Sequence, residues 1–145
     1  MSDLRRHFDS LTGDWHLEGE VMGKALVQEV EVTWVLGDAY LRIHYLPSIV
    51  TPLTDQPYEA ICFIGWLPEG RPIMYLFDIF GAAFPAAGRG EPLEREGFRF
   101  RFSYPEGEFI TDLIPDGPEG WRIEQSSIDK GRRVPFGHKR LRRGG

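Results

Sequence analysis

Apolar and polar residues alternate with a period of two from Leu11 to Leu46. Three runs of this kind follow one another, and short turns containing glycine, at 22–24 and 37–38, join them. Alternation with glycine turns is typical of an antiparallel meander in which each strand buries one face. The positions assigned to the buried face are Trp15, Leu17, Gly19 and Val21, then Leu26, Val30, Val32 and Trp34, then Leu41, Ile43 and Tyr45.

The same pattern continues to the end of the chain, with turn residues about every ten positions. It predicts seven further strands, at 58–67, 73–80, 92–96, 98–104, 108–114, 121–128 and 132–141. Two longer connections are expected to be loops near a barrel mouth: the proline-rich 47–57 and the Gly/Ala-rich 81–90. The strands 58–67 and 73–80 are apolar on both faces, which indicates that a helix or a second subunit covers their outer side.

The first residues predict a short helix over about 3–10, capped by Ser2 and apolar at Leu4, Phe8 and Leu11. About ten strands, with no helix long enough for a parallel crossover, predict an all-β fold. The economical architecture is a single antiparallel up-and-down β-barrel, because closure leaves no exposed strand edge. We divide the chain 1–145 into a helix closing one barrel end (1–12), the barrel (13–141) and a basic tail (142–145).

Aromatic residues make up 13% of the chain, and most of them fall on the inward face of the predicted strands. A barrel of eight strands is filled by its side chains or holds one small ligand, and ten strands leave more room. We therefore expect an internal cavity for a small hydrophobic molecule. A solid aromatic core is the alternative.

The charge of the chain is uneven. The net charge is −5, but the last sixteen residues carry seven basic side chains and no acidic ones. The preceding 129 residues carry 10 basic and 22 acidic side chains, and such an acidic body repels phosphate. We therefore expect no nucleic-acid partner and interpret the basic strand as lying beside acidic strands.

The single cysteine and the lengths of the apolar runs indicate the cellular compartment of the protein. Cys62 is the single cysteine, so no internal disulfide can form. The first residues lack the apolar segment of a signal peptide, and no apolar run is long enough for a membrane helix. We expect a cytoplasmic protein without a membrane span, and a homodimer through strands 58–67 and 73–80 is one interpretation.

Several short motifs resemble intracellular lipocalin-like barrels, which are related to fatty-acid-binding proteins. The opening Leu11-x-Gly13-x-Trp15-x-x-x-Gly19, the turn Trp34-Val35-Leu36-Gly37, the pair Ile64-Gly65 and the spacing from Asp78 to Gly81 resemble a bacterial lipocalin-like family of unknown function. The resemblance implies a hydrophobic ligand inside the barrel. The fatty-acid-binding relatives imply basic and hydroxyl groups that hold an acyl carboxylate.

A second resemblance is to nitrobindin, a ten-stranded haem barrel. The segment Pro135-Phe136-Gly137-His138 is similar to the end of that family, whose last strand carries the haem-ligating histidine. The resemblance implies that His138 ligates ferric haem. This chain departs from the pattern, with a spacing one residue shorter and Lys139 where the family has an apolar residue.

Candidate site residues follow from the predicted inward face. His138 and Arg140 are assigned to the same face as Phe136, so Arg140 could bind an anionic head group in a bidentate manner. The remaining predicted ligand-binding residues would line the pocket or orient the ligand by hydrogen bonds: Trp15, Trp34, Tyr45, Tyr75, Phe100, Tyr104 and Gln125. His138 would ligate a metal only in the haem alternative, and no other cofactor is expected.

Asp78 interrupts the apolar run Met74–Phe80 and is the one candidate catalytic residue. A carboxylate there needs hydrogen-bond donors or a cationic partner. It either serves as a general base in an isomerase or cyclase reaction, or has a structural role, capping the turn into Gly81 or pairing with an arginine of a neighbouring strand. Motifs of the common hydrolases, metalloproteases and nucleotide-binding enzymes are absent. The sequence thus favours ligand binding over catalysis, with haem binding and a barrel enzyme as alternatives.

Overall fold

The computed structural model describes residues 3–50, 56–81, 87–105 and 107–144. Within these ranges the chain forms one short helix and ten strands. Their bounds are α1 (Asp3–Asp9), β1 (Gly13–Val21), β2 (Lys24–Val35), β3 (Tyr40–Tyr45), β4 (Ala60–Trp66), β5 (Pro72–Asp78), β6 (Gly88–Pro92), β7 (Phe98–Tyr104), β8 (Gly107–Pro115), β9 (Gly120–Asp129) and β10 (Arg132–Arg143).

The ten strands form a closed antiparallel barrel in which each strand pairs with its neighbours in sequence. β1 pairs with β2 on one side and with β10 on the other, which closes the sheet. The predicted all-β up-and-down barrel with a short N-terminal helix is therefore confirmed. The first hairpin turn places Met22 and Gly23 at φ values of 53° and 78°, as a tight turn compatible with strand twist requires.

One end of the barrel is filled by α1 and the residues after it. Phe8 is fully buried, and its ring lies 4.9 Å from Phe98 and 5.7 Å from Trp66 between centroids. Leu11 is also buried, while the side chain of Leu4 lies outside the described residues. We call this the closed end of the barrel.

The sixth strand is not where the sequence pattern predicted it. β6 begins at Gly88, inside the segment expected to be a loop, and the chain turns at Leu93, whose N–H donates to the Gly97 carbonyl. Gly88 and Gly90 face inward, where a Cβ would come within 2.6 Å of Phe102 and 2.9 Å of Phe100. Neighbouring aromatic rings fill the space that a side chain would occupy, so glycine is tolerated in this strand.

The outer face of β4 and β5 is apolar, as the sequence indicated. Phe77 and Tyr75 are 59% and 36% exposed, and Phe63 packs against Phe77 with ring centroids 6.1 Å apart. Tyr75 thus lies outside the barrel, which corrects its assignment to the pocket, because a strand apolar on both faces does not reveal which face is inner. The homodimer stays a prediction.

The last strand extends beyond the predicted boundary at residue 141. Arg143 is part of β10, its guanidinium lies 4.0 Å from the Trp15 ring centroid, and it donates to the Ser10 carbonyl at 2.9 Å. Outside the barrel, Arg140 is paired in register with Glu18, and His138 with Glu20. The basic end of the chain therefore lies beside acidic residues of β1, as expected.

Candidate functional site

A β-bulge in β10 determines which of its side chains enter the barrel. The pairing with β9 shifts register between Pro135 and Gly137, so that Phe136 is an additional residue in this strand. After the bulge, Lys139 faces inward and is 7% exposed, whereas His138 and Arg140 are exposed. The prediction that His138 and Arg140 share the inner face with Phe136 is wrong, because it assumed an unbroken alternation.

Gly19 makes room for Lys139 inside the barrel. The two residues are paired across β1 and β10, and a Cβ on Gly19 would lie 2.9 Å from Lys139 Cγ. On the other side Lys139 is paired with Ile123, which is 2% exposed. A glycine in the middle of a strand thus allows the long lysine side chain to extend over it toward the barrel interior.

Lys139 carries a charged group into mostly apolar surroundings. Its Nζ lies 6.0 Å from the Tyr45 ring centroid, a weak cation–π contact. Within the described ranges of the chain, no carboxylate forms an ion pair with Lys139 and no hydrogen bond involves its amine. Burial lowers the pKa of Lys139 to about 8, since an ammonium group without water or a counter-ion is disfavoured.

A second interior polar side chain, Gln28, is only partly satisfied. Gln28 is fully buried, and its Nε2 donates to the carbonyls of Leu46 at 2.9 Å and Tyr58 at 3.3 Å. Its Oε1 is buried and has no hydrogen-bond partner among the described residues. Such an acceptor is costly to bury and rare in native structures. The described part of the interior therefore contains a cationic donor and an acceptor without partners.

Asp78 is held by two hydrogen bonds at the end of β5. Tyr58 Oη donates to Asp78 Oδ2 at 3.1 Å, and the Phe80 N–H donates to Oδ1 at 2.9 Å. Burial, followed by the Asp78 charge, raises the pKa of Tyr58. These contacts favour the interpretation that Asp78 stabilises the turn after β5, and a catalytic role stays an untested prediction.

Cys62 lies on the inner face of β4 and is 3% exposed. Burial is the main cause that raises its pKa to about 12, and the Lys139 charge opposes the shift. The thiol is therefore protonated at neutral pH and behaves as a small apolar side chain. Tyr45, Tyr58, Asp78, Cys62 and Lys139 define the polar end of the barrel, opposite the closed end.

Two of the other predicted pocket residues, Trp15 and Trp34, lie near α1. Trp15 is buried, and its indole N–H donates to the Leu11 carbonyl at 2.7 Å. Trp34 is partly buried, and its N–H donates to Asp9 Oδ1 at 2.7 Å. Both residues therefore belong to the closed end.

Phe100, Tyr104 and Gln125 lie along β7 and β9. Phe100 is fully buried in the core, and Tyr104 packs edge-on against Phe109 with ring centroids 5.3 Å apart. A Cβ on Gly137 would lie 2.9 Å from Gln125 Oε1, so Gln125 occupies the inner face beside the bulge. Their roles in ligand binding stay predictions.

His16, His44 and His138 do not fit haem ligation inside the barrel. His138 is exposed, His16 Nδ1 lies 2.7 Å from Glu29 Oε1, and His44 Nε2 lies 2.7 Å from Glu59 Oε2 on the outer face. Among the described residues, no three or more His, Cys, Asp or Glu side chains are grouped to hold a metal ion. The side-chain direction of His138 thus contradicts an axial ligand role.

Arg140 lies outside the barrel. It lines a surface cleft of about 410 Å³ that also contains Asp116 and Glu119. These carboxylates make the cleft mixed in charge rather than selective for anions. In the described part of the chain, no helix has the length and apolar character needed to cross a membrane.

Three interior residues, Lys139, Gln28 and Tyr58, were not predicted from the sequence. The alternation of apolar and polar residues does indicate the first two. Counting backward from the apolar Leu141 places Lys139 on the inner face, whereas counting forward from Phe136 places it outside. Gln28 is the polar residue between Leu26 and Val30 on the inward face of the second run. The position of Tyr58 had no such signal, because it precedes β4 and reaches Asp78 only in the folded barrel.

The structure defines a closed ten-stranded antiparallel barrel of the lipocalin-like fold, with a polar group of residues at one interior end. A solved structure of an S-type phycobiliprotein lyase, CPES from Guillardia theta, has this fold. It aligns with a TM-score of 0.71 and 10% identity over 99% of this chain and 94% of its own. A de novo designed fluorescence-activating β-barrel aligns over 99% of this chain and 100% of its own, with 17% identity and a TM-score of only 0.41. No protein-family model and no curated protein sequence matches the chain.

Proposed function

We propose that the barrel binds a small hydrophobic molecule with an acidic head group, and that Lys139 is the counter-ion. The observation that carries this proposal is the position of Lys139, buried on the inner face without an acidic partner among the described residues. A buried ammonium group costs free energy unless an anion and hydrogen bonds compensate it. A ligand carboxylate or sulfonate would supply both.

The surroundings of Lys139 support a ligand that is otherwise apolar. Aromatic and aliphatic side chains dominate the interior, and burial of apolar ligand surface contributes ~25 cal/mol per Å² before ordering costs. The unpaired Gln28 Oε1 would accept a hydrogen bond from a hydroxyl or N–H group of the ligand. The exposed position of Arg140, to which the sequence assigned this role, favours Lys139 over it as the counter-ion.

We prefer ligand binding to catalysis as the function of this barrel. The solved neighbour is a lyase, so this fold is compatible with catalysis in another protein. In this chain both carboxylate oxygens of Asp78 accept hydrogen bonds within the protein, which disfavours a role as a free general base.

The test uses 11-(dansylamino)undecanoic acid, a fluorescent fatty acid, and a matched pair of variants at adjacent residues. Lys139→Met should weaken binding ~10- to 100-fold, because a charge-assisted hydrogen bond contributes ~1.5–3 kcal/mol. Arg140→Met removes a neighbouring charge outside the barrel and should leave the affinity within threefold. Equal affinities of the two variants would contradict the proposal.

The pH dependence provides an independent check on the same probe. Anion binding requires protonated Lys139, whose pKa is about 8 in the free protein. Affinity should therefore be constant below pH 7 and fall as the pH rises past about 8, and Lys139→Met should abolish this dependence. A wild-type affinity that does not change between pH 7 and 10 would count against Lys139.

A further inference from the structure

We propose that Lys139 also captures hydrophobic aldehydes reversibly, by forming an imine inside the barrel. This inference rests on the proposed function, since it places a second class of ligand head group at the same amine. It extends that function from ionic contact to covalent attachment. The geometry that supports it is a buried primary amine with no acidic partner or hydrogen bond among the described residues, surrounded by apolar side chains.

A lysine reacts with a carbonyl group only when its amine is neutral. A carboxylate nearby would hold Lys139 in the protonated form, but within the described residues none forms an ion pair with it. Asp78, a member of the same interior end, accepts hydrogen bonds from Tyr58 and Phe80 instead. The pKa of about 8 indicates that a substantial fraction of Lys139 is neutral in mildly alkaline solution.

The reaction is a balanced condensation. The Nζ lone pair attacks the carbonyl carbon while the C=O π electrons move to oxygen, and a proton passes from nitrogen to that oxygen to give a carbinolamine. Loss of water then forms the C=N bond, and addition of water reverses the sequence. No oxidant or reductant takes part. Apolar surroundings favour the imine because they reduce the access of water.

The chain has only two other lysines, and both serve as internal controls. Lys24 and Lys130 lie at hairpin turns and are exposed. Their amines are open to solvent, so they report the reactivity of lysines outside the barrel. Selective reaction at Lys139 would therefore reflect its position in the barrel rather than general lysine chemistry.

The experiment incubates the full chain with decanal at pH 7.5, traps imines with sodium cyanoborohydride and maps modified peptides by mass spectrometry. We expect labelling of Lys139 at least tenfold above that of Lys24 or Lys130. A spectroscopic arm uses 4-dimethylaminocinnamaldehyde, whose absorption should shift to shorter wavelength when it forms a neutral imine, the form that burial without a counter-ion favours. Labelling of the three lysines to equal extents would overturn the proposal.

Two variants separate covalent capture from ionic binding. Lys139→Arg keeps the positive charge but cannot form an imine, so it should lose decanal labelling while binding the dansylated fatty acid within tenfold of wild type. Lys139→Met should lose both activities. Fatty-acid binding that depends on Lys139, without aldehyde labelling at Lys139, would overturn the imine and leave the proposed function intact. Loss of Lys139 dependence in both assays would contradict both.

Discussion

The two interior ends of the barrel are built on opposite principles. At the closed end the rings of Phe8, Trp34 and Trp66 pack together, and the indole N–H groups of Trp15 and Trp34 have protein acceptors, whereas the buried Trp66 N–H has none among the described residues. At the polar end Lys139 contributes an amine without a described ion pair, close to the apolar thiol of Cys62. The first arrangement increases stability, and the second reduces it.

A buried polar group without a partner is a place to look for a ligand, because such groups cost stability and are rare in native structures. Gln28 Oε1 is such an atom on the inner wall, and Lys139 is a buried cation there without an ion pair among the described residues. Trp15 and Trp34, at the closed end, were predicted from the sequence to bind the ligand, but their contacts are typical of a hydrophobic core.

The largest expected effect of a substitution on stability is at the closed end. Phe8→Ala removes a fully buried ring between Phe98 and Trp66 and should lower the free energy of unfolding by ~3–5 kcal/mol. Urea denaturation would measure it. The control, Phe77→Ala, alters a ring that is 59% exposed and should change stability by less than ~1 kcal/mol. Similar losses in the two variants would show that α1 does not complete the core.

At the polar end a substitution should stabilise the protein. The pKa of Lys139 falls from 10.5 to about 8 on folding, so Lys139→Met should raise the unfolding free energy by about 3 kcal/mol at pH 7. The gain should be complete below pH 8 and disappear as the pH rises toward 10.5, where the amine is neutral in both states.

Urea denaturation of wild type and Lys139→Met at pH 7 and pH 10 would measure that gain. Lys130→Met, at an exposed turn, is the control and should leave stability nearly unchanged at both pH values. Destabilisation by Lys139→Met at pH 7 would indicate that the amine is satisfied in the folded protein.

The smallest expected change in stability is at the polar end, where Tyr58 and Asp78 are joined by a hydrogen bond. Tyr58→Phe removes the hydroxyl that donates to Asp78 and should cost about 1 kcal/mol. Tyr75→Phe, on the outer face of β5, is the matched control and should be nearly neutral. A neutral Tyr58→Phe would show that water replaces the hydroxyl, and that Asp78 is less tightly held than its contacts indicate.

Much of the fold was predictable because strand alternation and turn chemistry are local. The number of strands, the short helix and the burial of Trp15 and Phe100 follow from the period of two and from residue type. β6 was misplaced because its glycines carry no strand propensity of their own. Rings of β7 supply the missing packing, and that contact is not visible in a local pattern.

The candidate site was predicted on the correct strand but on the wrong face. A bulge at Phe136 reverses which residues of β10 face inward, and a one-residue shift moves every following side chain to the other side of the sheet. His138 and Arg140 therefore face outward, and Lys139 faces the barrel interior. Pro135 and Gly137 were the local indication of this bulge, because proline inside a closed sheet is confined to irregular positions, and the assumption of unbroken alternation passed over it.

Periodicity and turn residues act over neighbouring positions, so they were sufficient to predict an antiparallel barrel with an aromatic interior. Which polar groups enter that interior, and which of them lack partners among the described residues, depends on the tertiary structure. Strand register and long-range contacts set these features, as in the distance from Tyr58 to Asp78 or the space that Gly19 leaves for Lys139.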